Sequence, residues 1–261
     1  MTSFSLDQYF KRINFRGEAK ANQATLTEMM RCQLMHVPFE NLDVQAGKIV
    51  SLERNDIVEK ILFNQRGGYC YEVNGLFAMA LNALGIPYFF VAARPLTHGA
   101  RKPKTHMAVI VNLNGEKWLC DCGYGGHGIR APLRLSLLDI EVNQDGEMFM
   151  LSLFNEQELV VKSKMGDDWE PLYAFDLTPQ SWADFAPANY YNSTHHESIF
   201  VRKLLVVLCT STGRKILFGQ RLKIISNGQV EKQILTAENR PVILREEFGL
   251  IEPSRESLLV S

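Results

Sequence analysis

The chain has almost no excess of charge of either sign. It contains 28 Lys and Arg residues against 29 Asp and Glu, so its formal net charge is −1. Proteins that bind nucleic acids or anionic membranes usually present a strong excess of basic residues. The composition therefore predicts neither a nucleic-acid partner nor a membrane partner.

Long hydrophobic runs and paired cysteines are also missing. The apolar stretch at residues 204–209 is far shorter than the roughly 20 residues that span a bilayer, and the first residues do not resemble a signal peptide. The chain has 5 cysteines, an odd number at irregular spacing, which argues against a disulfide framework. We expect a cytoplasmic protein.

The sequence contains only part of a zinc-binding signature. Cys120 and Cys122 would direct both thiols to one face of a strand, and His36 or His127 offer further ligands. No second cysteine pair stands at the spacing of a metal site, however. Two small core residues explain the pair more simply, and we expect no metal.

What the sequence does have is a sharply defined helix that opens at a cysteine, Cys70. The apolar residues that follow lie on one helical face: Val73, Leu76, Phe77, Ala80, Leu81 and Leu84. Gly85 and Pro87 then end the helix. In the first turn, free N–H groups and the helix dipole favour a thiolate, while Gly67-Gly68 allow a close approach. Cys70 is either a displayed nucleophile or a buried structural cysteine.

A predicted hairpin supplies possible partners for this cysteine. Asn114-Gly115 is a strong signal for a two-residue loop, and such a loop puts Asp121 opposite Ala108. His106 shares a face with Ala108 because strand side chains alternate, so His106 and Asp121 become diagonal neighbours within side-chain reach. The alternative is a surface histidine and an unrelated acid, but a charge in an apolar strand favours a partner.

A cysteine at a helix start, with histidine and aspartate on paired strands, is a nucleophile, base and orienting acid in chain order. The chain resembles the arylamine N-acetyltransferases in these motifs. They stand here as Arg66-Gly67-Gly68-Tyr69-Cys70, Thr105-His106, Asp121-Cys122-Gly123-Tyr124-Gly125 and, upstream, Pro38-Phe39-Glu40-Asn41. Ser198-Ile199-Phe200 is a weaker match, and Cys122 departs from the family's usual valine.

The element pattern and the resemblance together predict an α+β fold. Helices are expected at residues 6–13, 26–35, 56–63, in the segment from Cys70 and around 241–248, and a linker at 181–197. Strands are expected at 88–93, 107–111, 118–122, 148–153, 204–209, 215–218, 222–225 and 233–236, with a second hairpin at Asn227-Gly228. The resemblance implies a helical bundle over residues 1–86, an antiparallel β-barrel over 87–190 and an α/β lid over 191–261, with a papain- or transglutaminase-like core.

The resemblance also implies acetyl transfer from acetyl-CoA, through an acetyl-cysteine, to an arylamine, arylhydrazine or N-hydroxyarylamine. Cys70, His106 and Asp121 are then the catalytic residues. Thr105, Gly125 and Gly126 would contact acetyl-CoA, and the acceptor would lie among Phe39, Tyr69, Tyr124 and Phe200, although Phe39 and Tyr69 also suit an ordinary core. The sequence does not decide the oligomeric state, and a homodimer stays open.

Other interpretations remain. A cysteine hydrolase or transglutaminase would use the same three residues, and an amide-forming or binding module would keep the fold without the chemistry. The glycines at 123–128 are a poor dinucleotide fingerprint, since Pro132 follows where a helix should begin. Residues 101–104 are a solvated basic loop or a contact for phosphates. His98, His195 and His196 are expected on the surface.

Overall fold

The structure is a computed structural model that describes residues 3–97 and 102–251. It has a mixed α+β fold in which helices come first. They are α1 (Leu6–Arg12), α2 (Gln23–His36), α3 (Leu42–Gln45), α4 (Arg54–Val58), which a π-helical turn (Glu59–Phe63) continues, and α5 (Cys70–Ala83). Within the described ranges, none of the helices has the length and apolar character needed to span a bilayer.

Helix α5 lies at the centre of the fold. Every residue from Cys70 to Leu81 is buried. The helix ends as predicted, because Gly85 adopts a left-handed conformation with φ of 67°. Its N–H donates to the carbonyl of Asn82 over 3.0 Å, and that of Ile86 to the carbonyl of Leu81 over 2.9 Å. These two bonds form a Schellman motif, which fixes where the helix stops.

The larger sheet has eight antiparallel strands within the described residues. They are β2 (Tyr88–Pro95), β3 (His106–Leu113), β4 (Glu116–Cys120), β5 (Leu133–Arg134), β6 (Val142–Gln144), β7 (Glu147–Leu153), β8 (Leu159–Met165) and β9 (Asp168–Phe175). Their order across the sheet is β5-β4-β3-β2-β9-β8-β7-β6. The side chain of Gln144 in β6 hydrogen-bonds both the N–H (3.1 Å) and the carbonyl (2.8 Å) of Ala131, just before β5. The two outer strands are thereby brought together and the sheet curls.

The hairpin of β3 and β4 confirms the predicted register. Val109 pairs with Cys120, and Leu113 pairs with Glu116. The loop residues Asn114-Gly115 have φ angles of 52° and 80°, as a two-residue type I′ turn requires. Strand β4 ends at Cys120, so the following aspartate lies just beyond the paired ladder.

The smaller sheet pairs one strand from the first part of the chain with four strands from the last part. In order, its strands are β1 (Phe39–Glu40), β10 (Leu205–Thr210), β11 (Gly213–Phe218), β12 (Arg221–Ser226) and β13 (Gln229–Ile234). The last helix, α8 (Arg240–Phe248), buries Leu244 and Phe248 in a small core that also contains Leu42 of α3. The predicted strand at 233–236 is wrong in position, because β13 pairs directly across the Asn227-Gly228 loop.

The predicted linker at 181–197 is wrong. This segment forms a 3₁₀ turn (Trp182–Phe185) and α6 (Ala186–Thr194), and α7 (Ile199–Arg202) follows. Asp184 accepts a hydrogen bond from the N–H of Ser181 over 2.6 Å and so caps the start. Asn189, Asn192 and Ser193 of α6 are buried and hydrogen-bonded inside the protein, which composition alone does not reveal.

Strands β8 and β9 were not predicted. Their charged residues and Pro171 resemble a loop, since proline disfavours a strand interior. The structure accommodates Pro171 at a bulge, where the pairing changes from Val161 with Tyr173 to Lys162 with Pro171. Tyr173 on this strand reaches the candidate site.

Candidate active site

His106 and Asp121 form a buried pair. Nε2 of His106 lies 2.7 Å from Oδ2 of Asp121, while Oδ1 accepts hydrogen bonds from Asn74 (2.9 Å) and from the N–H of Gly123 (2.8 Å). Burial alone would raise the pKa of Asp121, but the charge of His106 and these hydrogen bonds lower it below its ordinary value. Asp121 is therefore held as a carboxylate.

His106 in turn contacts the cysteine. Burial would lower the pKa of His106, but the charge and hydrogen bond of Asp121 outweigh it, and a hydrogen bond and charge from Cys70 add to their effect. Together they raise the pKa of His106 to about 10. The imidazole is therefore protonated near neutral pH. The structure thus brings together the three residues that the sequence selected as catalytic.

Cys70 is the first residue of α5 and is only 2% exposed. Its Sγ lies 3.9 Å from the carbonyl oxygen of Thr105. At the first helical position, its N–H has no intrahelical partner. Glycine is needed at position 123, because a Cβ there would lie 2.7 Å from the Cα of Cys70. The absence of that side chain lets the segment that carries Asp121 approach the helix start.

The glycines before Cys70 make room for the protein itself. A Cβ on Gly67 would lie 1.9 Å from the carbonyl oxygen of Pro38. Beside it, the N–H of Tyr69 donates to the carboxylate of Glu72 over 3.0 Å, as in half of a capping box. The close approach predicted at the glycines therefore involves backbone and carboxylate rather than an open path for substrate.

Asn74 is a site residue that sequence reasoning missed. It lies one turn after Cys70 on the same face of α5. Its side-chain amide donates to Asp121 and to the carbonyl of Met107 (2.7 Å), and its oxygen accepts from the N–H of Cys122 (2.8 Å). The signal was an amide four residues after the cysteine, in a helix of mainly apolar residues.

A buried ionic network behind the start of α5 was also missed. Lys60 lies 2.6 Å from the carboxylates of both Asp43 and Glu72, and Arg66 donates to Glu40 over 2.9 Å. Burial raises the pKa of Glu72 to about 7 although Lys60 opposes the shift. Glu40 and Arg66 belong to the motifs quoted above, and the network holds the segment that precedes Cys70.

Asn41, which follows Glu40 in the upstream motif, holds the C-terminal part of the site in place. Its side-chain amide donates to the carbonyls of Phe200 (2.7 Å) and Lys203 (2.9 Å), and its oxygen accepts from the N–H of Leu205 (2.7 Å). Arg214 of β11 donates to the carbonyl of Gly126 and so holds the turn after Asp121.

A cavity of about 470 Å³ opens onto Cys70 and His106. Its walls are mainly apolar. Of the other predicted contacts, Phe39, Tyr124, Phe200, Thr105 and Gly126 line it. Such a volume and lining suit a small molecule with an apolar body.

Tyr69 and Gly125 do not line this cavity. The hydroxyl of Tyr69 hydrogen-bonds Asn189 and also Ser193 (3.0 Å), and its ring meets that of Phe200 edge-on with the centroids 5.3 Å apart. Gly125 lies against the ring of Phe39, which a Cβ would approach to 3.1 Å. Both residues therefore support the walls from behind and do not themselves form them.

The basic loop is only partly available to a ligand. Lys104 is paired with Asp176 and, over 3.2 Å, with Glu158, whereas Lys102 lines the cavity. Arg101 and His98 lie outside the described residues. His195 stacks on Tyr191 and on His196 near the rim, with centroid distances of 4.4 and 4.5 Å.

In the part of the chain that the structure describes, no three His, Cys, Asp or Glu side chains are grouped as a metal site would need. Burial raises the pKa of both Cys120 and Cys122 well above the ordinary value. His127 lines the cavity instead, where burial and the charges of Arg214 and Lys223 lower its pKa to about 4.

Comparisons with known proteins agree with the family resemblance of the sequence motifs. Residues 22–253 match the family model described as N-acetyltransferase. The chain is 31% identical over 250 residues to the arylamine N-acetyltransferase of Escherichia coli, covering 94% of this chain and 88% of that protein. It is 29% identical over 255 residues to the arylamine N-acetyltransferase / N-hydroxyarylamine O-acetyltransferase of Salmonella typhimurium, with 96% and 90% covered.

Solved structures of arylamine N-acetyltransferases agree with this family assignment. The Mycobacterium marinum arylamine N-acetyltransferase in complex with CoA superposes with a TM-score of 0.91 at 29% identity, and the match covers 97% of each chain. The arylamine N-acetyltransferase of Salmonella typhimurium gives 0.90 at 26% identity, with 96% of this chain and 92% of that one covered. The chain therefore belongs to the arylamine N-acetyltransferase family, and it is an acetyltransferase that uses acetyl-CoA.

Proposed function

We propose that this protein transfers an acetyl group in two steps through Cys70. In the first step, the thiolate of Cys70 attacks the thioester carbonyl of acetyl-CoA. The bond from that carbonyl to the sulfur of CoA then breaks, and CoA leaves as a thiol with the proton of His106. One thioester replaces another, so little free energy is lost in forming the acetyl-cysteine.

In the second step, the nitrogen of an arylamine attacks the acetyl-cysteine. Neutral His106 accepts the proton that the nitrogen loses, and the thiolate of Cys70 departs to regenerate the resting enzyme. Asp121 fixes the imidazole orientation and stabilises the imidazolium in both steps. The three hydrogen bonds that Asp121 accepts support this orienting role.

The oxyanion needs two donors near Cys70. The N–H of Cys70 is one, because its helical position leaves it unpaired. The N–H of Gly123 is already given to Asp121, so we assign the second donor to the rest of the turn, between Tyr124 and Gly126.

The acceptor is proposed to be an aromatic amine, hydrazine or hydroxylamine. Phe39, Tyr124 and Phe200 line the cavity, and stacking of a flat ring on an aromatic side chain contributes about 0.5–1.5 kcal/mol beyond burial. A neutral arylamine also enters without losing the hydration of an ammonium ion. The name of the Salmonella relative records both N- and O-acetylation for that protein.

The chain's three predicted parts would each supply one component of this site. We propose that residues 1–86 present the nucleophile, residues 87–190 the histidine and aspartate, and residues 191–261 one aromatic wall. Pairing of β1 with β10 supports such an assembly, since it ties the first part to the last.

The observation that carries the proposal is the contact of Cys70 with a buried His106–Asp121 pair at an apolar cavity. The test is acetyl transfer to aniline, a hexylamine and a glutamine peptide at matched concentrations. We expect transfer to aniline alone. Equal second-step rates for aniline and hexylamine would contradict an aromatic acceptor site, and reaction of the peptide would favour the hydrolase or transglutaminase alternative.

Phe200→Ala sharpens the same test. Loss of this wall should raise the KM for aniline more than it slows acetylation of Cys70 by acetyl-CoA. Tyr190→Ala is the matched control, because Tyr190 is an exposed aromatic of α6 at 60% exposure. A Phe200→Ala protein with an unchanged KM would remove Phe200 from the acceptor site.

A further inference from the structure

The carboxylate of Glu72 is buried beneath the loop that leads into α5. Glu72 is only 2% exposed, and a glutamate is seldom buried this deeply unless it is paired. Its Oε2 accepts from the N–H of Tyr69 over 3.0 Å, whereas Oε1 lies 2.6 Å from Nζ of Lys60. A Cβ on Gly68 would lie 2.7 Å from the carboxyl carbon. The carboxylate is therefore in contact with the segment that immediately precedes Cys70.

Lys60 reaches this carboxylate from the π-helical turn that continues α4. Such turns are rare and often occur at functional sites. Nζ of Lys60 also lies 2.6 Å from the carboxylate of Asp43 and 3.9 Å from that of Glu40. Burial alone would lower the pKa of Lys60, but the charges of the three carboxylates outweigh it and raise this pKa above its ordinary value. Lys60 is therefore held as a cation beside Glu72.

A second cavity opens onto this pair. Its volume is about 330 Å³, and its lining includes Lys60, Arg66 and Glu72. Among the residues that the structure describes, none lines both this cavity and the one at Cys70. Burial raises the pKa of Glu72 to about 7, although the charge of Lys60 opposes the shift. The carboxyl group therefore exchanges protons near neutral pH, by a route that does not pass through the acceptor site.

We propose that Glu72 is a positioning residue for Cys70 that acts while it is charged, and that Lys60 keeps it charged. The inference rests on Cys70 being the nucleophile of the proposed function. A charge-assisted hydrogen bond is roughly twice as strong as a neutral one. The carboxylate therefore fixes the N–H of Tyr69 and, with it, the peptide unit that carries the N–H of Cys70. Protonation of Glu72 weakens this bond and breaks the ion pair with Lys60, so the first turn of α5 loosens.

The other titratable groups around the pair keep their charge states while Glu72 titrates. Those in the ion network or along the second cavity are Glu40 of β1, Asp43 of α3, Lys48 after α3, Asp56 of α4, and Arg66 and Tyr69 before α5. Burial alone would raise the pKa of Asp43, but the charges of Lys60 and Arg66 lower it below its ordinary value. Burial raises the pKa of the Tyr69 hydroxyl. Asp43 therefore stays ionised and Tyr69 stays neutral.

The first test is hydrogen exchange of the Tyr69 amide, followed by NMR in the full-length protein. Protection should be present above about pH 7 and fall below it, because the accepting carboxylate becomes protonated. An opposite charge within about 4–6 Å lowers the pKa of a carboxyl group by about 1–3 units. In Lys60→Met, the loss of protection should therefore occur at a pH about 1–3 units higher than in wild type.

Lys48→Met is the matched control for this exchange measurement. Lys48 lines the same cavity without an ion pair to any residue that the structure describes, so the variant should keep the wild-type profile. Lys60→Met combined with Glu72→Gln should give protection that does not depend on pH, because an amide oxygen accepts from the Tyr69 N–H without titrating. The wild-type profile decides even where a variant does not fold. Protection of the Tyr69 amide that stays constant from about pH 8 to about pH 6 would overturn the inference.

Alkylation of Cys70 by iodoacetamide measures the consequence at the nucleophile. Peptide mapping identifies the modified cysteine, and the reaction requires no acetyl-CoA, so its outcome is separate from whether the enzyme acetylates arylamines. At neutral pH, Cys70 should react several-fold more slowly in Lys60→Met than in wild type or in Lys48→Met. An unchanged alkylation rate in Lys60→Met, with the Tyr69 protection shifted, would show that Glu72 caps the helix without positioning Cys70, and it would contradict the inference.

Discussion

The molecule contains two hairpins with the same loop, one at the candidate active site and one at the surface. Asn114 and Gly115 have φ angles of 52° and 80°, and Asn227 and Gly228 have 48° and 77°. Both hairpins pair directly across the two loop residues, β3 with β4 and β12 with β13. The same turn chemistry therefore produces the same local geometry twice.

Their surroundings differ completely. All residues of β3 except Asn112 are buried, whereas every residue of β13 is exposed at the edge of its sheet. In the buried hairpin, His106 meets one carboxylate and one thiol, and its pKa rises to about 10. The comparison teaches that the loop decides which side chains face each other. In the buried hairpin, the charge and hydrogen bond of Asp121 outweigh the effect of burial and give His106 its high proton affinity.

The largest expected effect is on the turnover number, and it should appear for a substitution in only one of the two hairpins. Asp121→Asn should lower the turnover number by about 10⁴, as in other triads whose imidazole loses its orienting charge. Glu231→Gln makes the same chemical change on the exposed β13 and should leave turnover unchanged. Steady-state acetylation of aniline measures both. A similar loss in the two variants would mean that the buried hairpin has no special role.

The second prediction concerns the support that α5 gives to the buried hairpin. Asn74→Ala removes a donor to Asp121 and leaves buried partners unsatisfied, so we expect a loss of about 1.5–3 kcal/mol in the free energy of unfolding. Asn82→Ala, near the exposed end of the same helix, is the control and should change little. Urea denaturation measures the free energy of unfolding of both variants. Equal losses of this free energy would contradict the bridging role of Asn74.

A third prediction uses pH. The pKa of His106 is raised from an unfolded value near 6.5 to about 10, so its pairing stabilises the fold fully below about pH 6.5. This contribution is lost as the pH rises through about 10. The difference in unfolding free energy between wild type and His106→Gln should therefore narrow between about pH 6 and pH 10. A constant difference would show that His106 is not bound as an imidazolium.

The smallest effect should be equal in both hairpins. Gly115→Ala and Gly228→Ala each place a Cβ in open space at a positive φ, which costs roughly 1–2 kcal/mol. Each unfolding temperature should fall by a few degrees, at about 2–4 °C per kcal/mol. A much larger fall for Gly115→Ala would mean that the active site, in addition to the turn itself, constrains the first loop.

The hairpin comparison also explains what was predictable from the sequence. The register of β3 and β4, the end of α5 at Gly85 and the meeting of His106 with Asp121 all follow from short-range rules. Those rules connect residues that are close along the chain or paired across one tight turn. They therefore remain valid without knowledge of the rest of the fold.

What was missed depends on contacts between distant segments. Asn74, Asn192 and Glu72 are polar residues inside the protein, where their partners come from other elements. Strand β9 was hidden by Pro171, whose bulge exists only in the assembled sheet. A polar residue is expected at the surface until its partner is known, so composition assigned the segment at 181–197 to a linker.

The central claim is that Cys70 carries the acetyl group, and peptide mapping tests it most directly. Wild-type protein is exposed to acetyl-CoA without an acceptor, digested with trypsin and analysed by mass spectrometry, with Cys70→Ala treated in parallel. We predict a single acetyl group on Cys70, its removal when aniline is added, and none on the Cys70→Ala protein. Acetylation of Cys32, Cys120, Cys122 or Cys209 instead, or persistence of the Cys70 acetyl group in the presence of aniline, would contradict the account.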